Sequence, residues 1–242
     1  MTADEGGPKS GADVELAETF ARIARVLLVK ASLDQTLRRV CDLSVETIDG
    51  CDHAGVTWVD RRGVSTRGAT DEVPQIVDDI QYEVSEGPCL EALREHVIVH
   101  VDDLSVDDRW PRFSARAAAE TGVRSMMSFR LHVAEHTLGA LNYYSRAARA
   151  FDRDADRIGA VFAAHAAVAI SASVSAEQST AAIASRDVIG QAKGILMARE
   201  DITDDDAFAL LTRASQRLNR KLRDVASDVI HRQPRGQDPT TD

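Results

Sequence analysis

Apolar residues recur at steps of three and four from Val14 to Lys30, at Leu16, Phe20, Ile23, Ala24, Leu27 and Leu28, which is the helical period. A second such segment runs from Leu33 to Ile48, with Asp34 near its start, Leu37, Val40, Cys41 and Val45 on one side, and Gly50 as its stop. The pattern then shortens. "HAGVTWVD" and "GVSTRGAT" are rich in β-branched residues and flank Arg61, Arg62 and Gly63, which predicts a hairpin. Short helices are expected over "PQIVDDIQYEV" and "EGPCLEALREH", the latter entered through Gly87 and Pro88, followed by a strand in "VIVHVDDL". "PRFSARAAAETG" reads as a helix with Pro111 in its first turn and Gly122 at its end. "VRSMMSFRLHV" and "HTLGALNYYS" read as two strands around a polar turn. Strands flanked by helices at both ends predict an α+β domain, an antiparallel sheet covered on one face by helices.

From Asp152 to Gln178 the spacing predicts one long helix, with Ile158, Val161, Phe162, His165, Val168, Ala169 and Ala172 as a single buried stripe. It is expected to pair with the Val14–Lys30 helix or with a second chain, and His165 reads as a packed, hydrogen-bonded side chain. Three helices fit Ser179 to Arg232. The first runs through Gly194 to about Arg199. The second is capped by Thr203, with Asp204, Asp205 and Asp206 in the first turn where the helix dipole favours negative charge, and is apolar at Ala207, Leu210, Leu211, Ala214 and Leu218. The third is capped by Asn219 and buries Leu222, Val225, Ala226, Val229 and Ile230. Gly194 inside a helix costs about 1 kcal/mol relative to Ala, which predicts close approach of another helix there. The chain thus divides into a disordered tail over 1–13, an α+β domain with its connecting helix over 14–177, a helical bundle over 178–232 and a second disordered tail over 233–242.

An apolar fraction of 44% suffices for true cores, and a net charge of −10 argues against indiscriminate binding to nucleic acid. Any such contact is local. Between Asp206 and Asp224 no acidic residue occurs, while Arg213, Arg217, Arg220, Lys221 and Arg223 all do. Arg213 and Arg217 share a helical face, and Arg220 and Lys221 lie at the following turn. A solvated helix end accounts for the first two but not for three more cations beyond it, so the pattern leaves both a solvated surface and a site for an anionic partner open. Cys41, Cys51 and Cys89 are an odd set at unpatterned spacing, as in a reduced cytosolic protein, and no ligand spacing suggests a metal. The amino-terminal residues lack the basic and apolar regions of a signal peptide, and no membrane-spanning stretch is expected; the chain reads as cytoplasmic.

The segment "RDVIGQAKGILMAR…ITDDDAFALLTRASQRLNRKLRDVASDVI" resembles an ANTAR domain, the RNA-binding output module of transcription antitermination regulators. The resemblance covers about Ser179 to Arg232 and rests on Ala192, Gly194, Leu196 and Met197, on Ala207 and Phe208, on Ala214 and Ser215, and on Asn219, Leu222 and Ala226. More loosely, "EGPCLEA…VHVDDLSVDDRWPRF…GVRSMMSFRLHV…HTLGALNYYS" is similar to the GAF domains that precede ANTAR modules, over about Leu16 to Ser175. The resemblance implies a GAF-like sensor of unknown small-molecule ligand joined to a three-helix ANTAR bundle, a homodimer that binds RNA with paired stem-loops and stops a terminator from forming. Base and phosphate contacts then fall to Lys193, Arg213, Arg217, Asn219, Arg220, Lys221 and Arg223. Phe208, the bundle's single aromatic, is expected in the core. Five phosphate contacts would give log affinity a slope of about −3.5 against log salt.

The sensor pocket is expected between the sheet and residues 74–108, with Cys89, His96 and Trp110 as candidate lining and His100 beside them. Cys89, near a helix start, reads as a small buried residue, a redox-sensing thiol, or a catalytic thiol like that of the GAF-type enzymes that reduce free methionine sulfoxide; the last needs a resolving cysteine in reach. "DDLSVDD" reads as a solvated loop. Two other functions stay open at this point: a helix-turn-helix DNA-binding regulator, and a thiol enzyme that uses the bundle to dimerise. No enzymatic role is assigned to the chain.

Overall fold

A computed structural model describes residue 18 and residues 21–27, 29, 31–95, 98–133 and 136–231. Both tails, Leu16, Phe20, Leu28, His96 and Arg232 lie outside the described residues, so what the sequence suggests for them is not addressed below. The packing divides into two compact units, Met1–Val174 and Ser175–Asp242.

The first unit begins with helix α1 (residues 21–27) and α2 (Leu33–Thr47). The hairpin β1 (His53–Asp60) and β2 (Gly63–Ala69) follows, then α3 (Glu72–Val84), α4 (Pro88–Glu95), β3 (Ile98–Val101), α5 (Ser114–Thr121), β4 (Ser125–Val133) and β5 (His136–Ser145). The strands form one antiparallel sheet in the order β2-β1-β5-β4-β3. Helices cover both of its faces rather than the single face expected. Ile23 and Leu27 of α1, Leu37 and Val40 of α2, and Phe162 and Ile170 further along the chain share a core with Val56, Leu141 and Met127. On the other face Val77 and Ile80 of α3 pack with Trp110, Phe113, Met126 and Tyr144. A sheet buried on both sides explains why His53–Trp58 is buried without the alternation of a half-exposed strand.

Local signals place the helix ends. Ser32 and Gln35 form a reciprocal capping box at α2, and Asp71 accepts the Val73 amide at α3. Gly122 closes α5 in the left-handed conformation. Pro111 lies ahead of α5 and not in its first turn, because the Phe113 and Ser114 amides both donate to the Trp110 carbonyl in a separate turn.

Helix α6 (Arg153–Glu200) is unbroken over 48 residues, so the expected connecting helix and first bundle helix are one element, and the division between the units falls inside it. No Pro or Gly interrupts residues 160–189. Its buried stripe in the first unit is Phe162, Ala163, Ala166, Ala167, Ala169 and Ile170; Val161 (38% exposed), Val168 (58%) and Ala172 point away, which corrects the stripe read from spacing. His165 is half-buried, with Nδ1 2.8 Å from the Val161 carbonyl oxygen. Residues 158–176 carry no Asp, Glu, Lys or Arg, and α6 contains a stretch long and apolar enough to cross a membrane, with mean hydropathy 1.7, contrary to expectation. Its apolar side is the one that packs into the sensor core.

In the second unit α6 packs with α7 (Asp204–Leu218) and α8 (Leu222–His231) around Ala192, Leu211, Val225 and Ala226, joined by Leu196, Ala214, Leu222, Val229 and Ile230. Thr203 caps α7 as expected, in a reciprocal box with Asp206. Leu210 and Leu218, expected in the core, are exposed. Asn219 does not start the third helix. It ends α7 in the left-handed conformation, with the Arg220 amide donating to the Ser215 carbonyl, because a short polar side chain tolerates φ 50° where a branched one does not. Gly194 also departs from expectation: a Cβ there would meet nothing within 4 Å. The close-approach glycine of α6 is Gly159, where a Cβ would lie 2.7 Å from the Phe129 ring.

Candidate nucleic-acid interface and the sensor interior

The basic residues of the second unit fall into two groups. Arg213 and Arg217 are exposed one turn apart on α7, and Lys221 is exposed just before α8; among the described residues none of the three pairs with a carboxylate. The others are engaged within the bundle. Arg220 reaches Asp228 at 2.6 Å, Arg223 reaches Asp224 at 3.3 Å and Lys193 reaches Asp204 at 2.6 Å. The acid-free interval of the sequence therefore does not leave all its cations open, since α8 folds Asp224 and Asp228 back beside them. Asn219 is exposed at the α7–α8 turn between the two groups.

Phe208 is not in the core. It is 45% exposed, and the Lys193 ammonium lies 6.0 Å from its ring centroid, at the outer limit of a cation–π contact. Helix α7 is thus polarised: Asp204, Asp205 and Asp206 at its amino end, Arg213 and Arg217 in its carboxyl half, and an exposed aromatic between.

The interior of the first unit holds a polar centre that the sequence did not disclose. The Asp78 carboxyl, fully buried on α3, accepts from Thr57 (2.9 Å), Thr66 (2.7 Å) and Tyr82 (3.1 Å) on Oδ2 and from Gln81 and Tyr144 (both 3.2 Å) on Oδ1. Burial pushes this carboxyl above its ordinary range, and the hydroxyl donors pull the other way. Thr57 also accepts from Asn142 Nδ2 at 2.9 Å and lies 3.0 Å from Cys89 Sγ. Because the single Thr57 hydrogen is given to Asp78, the thiol is the donor in that last contact and is held protonated; burial likewise pushes Cys89 well up. Gln81 Oε1 accepts the Cys89 amide at 2.9 Å and so caps α4, in space left by Gly87, whose φ of 139° and missing side chain admit the Gln81 chain. Asn142 and Ser128 are register partners across β4 and β5, and Asn142 Oδ1 and Ser128 Oγ are buried with no hydrogen-bond partner among the described residues.

Cys89 and Trp110, expected together as pocket lining, line none of the three clefts described next. Trp110 belongs to the core, donates to Glu91 at 3.1 Å and is stacked by Arg109 at 4.3 Å. Three clefts of the first unit are lined by other residues. One is an apolar groove of about 450 Å³ between Ile98, Phe129 and Val133 and the alanines Ala160, Ala163, Ala164 and Ala167. A second contains His100, whose Nδ1 lies 2.9 Å from Asp156 and whose Nε2 lies 3.2 Å from Asp102. The "DDLSVDD" loop is ion-paired rather than merely solvated: Asp103 holds Arg124, Asp107 holds Arg109 at 2.6 Å, and the Arg124 guanidinium keeps the Asp103 carboxyl far below its usual range. Cys41 and Cys51 sit in the core on the opposite face of the sheet from Cys89, and burial pushes both up to about 12.

The GAF domain model matches residues 30–171, and the ANTAR domain model matches residues 177–230. The chain belongs to the GAF family. Behind that domain it carries an ANTAR domain, and the pair is the architecture of a signal-sensing regulator. Solved structures agree on the GAF fold. The GAF domain of an Acinetobacter phosphoenolpyruvate-protein phosphotransferase is similar at 14% identity and a TM-score of 0.54, over 68% of this chain and 98% of that one. The corresponding domain from Coxiella burnetii gives 13% and 0.54, over 70% and 99%. The free methionine-R-sulfoxide reductase of Neisseria meningitidis, in complex with its substrate, gives 17% and 0.53, over 73% and 99%. Among curated proteins none matches this chain in sequence. The antiparallel α+β sheet was legible from the strand pattern and the GAF family from the resemblance of its motifs; the polar centre was not, since Thr57, Thr66, Asp78, Cys89, Asn142 and Tyr144 come from five elements. The one available signal was Thr57 inside a strand whose neighbours are all apolar or small.

Proposed function

We propose that this protein is a cytoplasmic, homodimeric antitermination regulator: its ANTAR domain binds paired stem-loop RNA and prevents a terminator from forming, and its GAF domain takes in the signal. The observation that carries this reading is the row of exposed cations Arg213, Arg217 and Lys221 on α7 and its turn, which pair with no carboxylate among the described residues, in a chain of net charge −10. Phosphates of a hairpin meet these cations, and loop bases, unlike those of a duplex, are free to be hydrogen-bonded or stacked. Arg220 and Arg223 serve as secondary contacts, released when phosphate replaces their carboxylates, while Lys193 stays with Asp204 and Asn219 offers an amide at the turn. A small polar guest is the reading for the signal, since Asn142 Oδ1 and Ser128 Oγ offer it an acceptor and a hydroxyl unanswered among the described residues, and Asn142 is joined through Thr57 to Asp78. The protonated, buried Cys89 thiol, with Cys41 and Cys51 across the sheet, favours a sensing over a catalytic role for this interior.

Gel-shift titration with an RNA carrying two short hairpins, and with duplex DNA of the same length, tests the proposal. Binding of the RNA alone, weakened in Arg213→Ala with Arg217→Ala, supports it. Binding of the duplex alone overturns it in favour of a DNA-binding regulator. Reduction of free methionine sulfoxide that Cys89→Ser abolishes would overturn the sensing role of the GAF domain.

A further inference from the structure

We propose that Phe208 is a stacking platform for an unpaired nucleobase, so that α7 reads an RNA loop with two chemistries: an aromatic face toward its amino end and guanidinium groups toward its carboxyl end. This rests on the RNA-binding reading above and names the part of the ligand that Phe208 takes. Three observations carry it. Phe208 is the only aromatic residue of the bundle, and it is 45% exposed although buried positions of the same helix are filled by Ala207 and Leu211. Its ring is steadied from α6 by Lys193, whose charge is answered by Asp204 at 2.6 Å, so the cation positions the ring and is not itself an open phosphate site. Around α7, at 3.6 residues per turn, Arg213 and Arg217 stand about 140° and 180° from Phe208, with Thr212 and Gln216 between them on the exposed surface. A strand that reaches both Phe208 and the two arginines wraps about half-way round α7.

The charges orient the ligand. Asp204, Asp205 and Asp206 repel phosphate from the end of α7 that bears Phe208, whereas an uncharged heterocycle is indifferent to them and its exocyclic amines are attracted. The phosphates therefore lie over Arg213 and Arg217, and a splayed base lies on Phe208. Stacking of this kind tolerates any base, so Phe208 supplies affinity, and sequence preference falls to the polar groups near it.

The test uses the full-length protein and a two-hairpin RNA with 2-aminopurine placed at successive loop positions, comparing wild type with Phe208→Tyr, Phe208→Leu and Phe208→Ala. Expected are quenching of one loop position by wild type and Phe208→Tyr, and an affinity loss of about 5- to 150-fold in both Phe208→Leu and Phe208→Ala, without change in the slope of log affinity against log salt. Phe208→Leu keeps apolar bulk without a π-face, so binding by it at wild-type strength overturns stacking. Loss of affinity only where sedimentation shows dissociation of the dimer also overturns it, and assigns Phe208 to a contact between copies. Wild-type binding that no Phe208 variant alters defeats this inference alone; a wild type that binds no hairpin defeats it together with the RNA reading.

Discussion

The Arg220 guanidinium closes on the Asp228 carboxylate at 2.6 Å across the turn that joins α7 to α8, whereas Arg217, three residues earlier, meets no carboxylate among the described residues. Equal charges in the sequence are unequal on the surface. Arg213→Ala with Arg217→Ala is expected to reduce the salt slope of RNA binding by about 1.4, from two single-strand phosphate contacts of about 0.7 each. Arg220→Ala is expected to cost less affinity than Arg217→Ala. Asp228→Asn, which releases Arg220, raises affinity a few-fold; filter binding across a salt series measures all three.

Gly194→Ala is expected to stabilise the protein by about 1 kcal/mol, because the helix gains propensity and the added methyl meets nothing within 4 Å. Urea unfolding checks it, and a loss of stability would show that another surface covers this position.

Asp78→Ala removes the acceptor of five donors, of which Thr57, Gln81 and Tyr144 are buried, and orphaned buried donors cost about 1–3 kcal/mol each before the structure relaxes. A loss of about 3 kcal/mol or more is expected, with Asp78→Asn between it and wild type because the amide keeps one acceptor oxygen. Thermal and urea unfolding of the three proteins rank them.

Cys41 and Cys51 ionise near 9.0 when exposed and at about 12 in the folded protein, through burial. Their contribution to stability is therefore complete below pH 9 and is lost as pH rises from 9 to about 12, where the unfolded chain sheds protons that the folded one keeps. The decline approaches about 1.4 kcal/mol per pH unit for each thiol, and buried Tyr143 and Tyr144, also held above their ordinary value, add to it at the upper end. Urea midpoints at pH 8 and pH 10.5 measure the decline, and Cys41→Ala with Cys51→Ala should make it shallower.

What the chain disclosed in advance followed from how local each signal is. The hairpin, the Thr203 cap and the Gly122 stop depend on residues within a few positions, and they stand where the pattern put them. The continuity of α6 was missed by ending one helix at Gln178 and starting another at Ser179, yet nothing there breaks a helix; Ser179 and Thr180 return their hydroxyls to the carbonyls four residues back. Phe208 was misplaced because it flanks the Ala207 and Leu211 stripe closely enough for periodicity to include it. Asp78 and Asp79 are adjacent and alike in sequence, and only the fold separates the buried carboxylate from the one that bonds Gln75 in solvent.

The bond from the Cys89 amide to Gln81 makes that one proton a native reporter. Any guest that enters beside Asp78 and turns the Gln81 side chain must release the first turn of α4. Its signature is a displaced nitrogen-15 resonance at position 89 and faster deuterium uptake there, readable without knowing what the guest is.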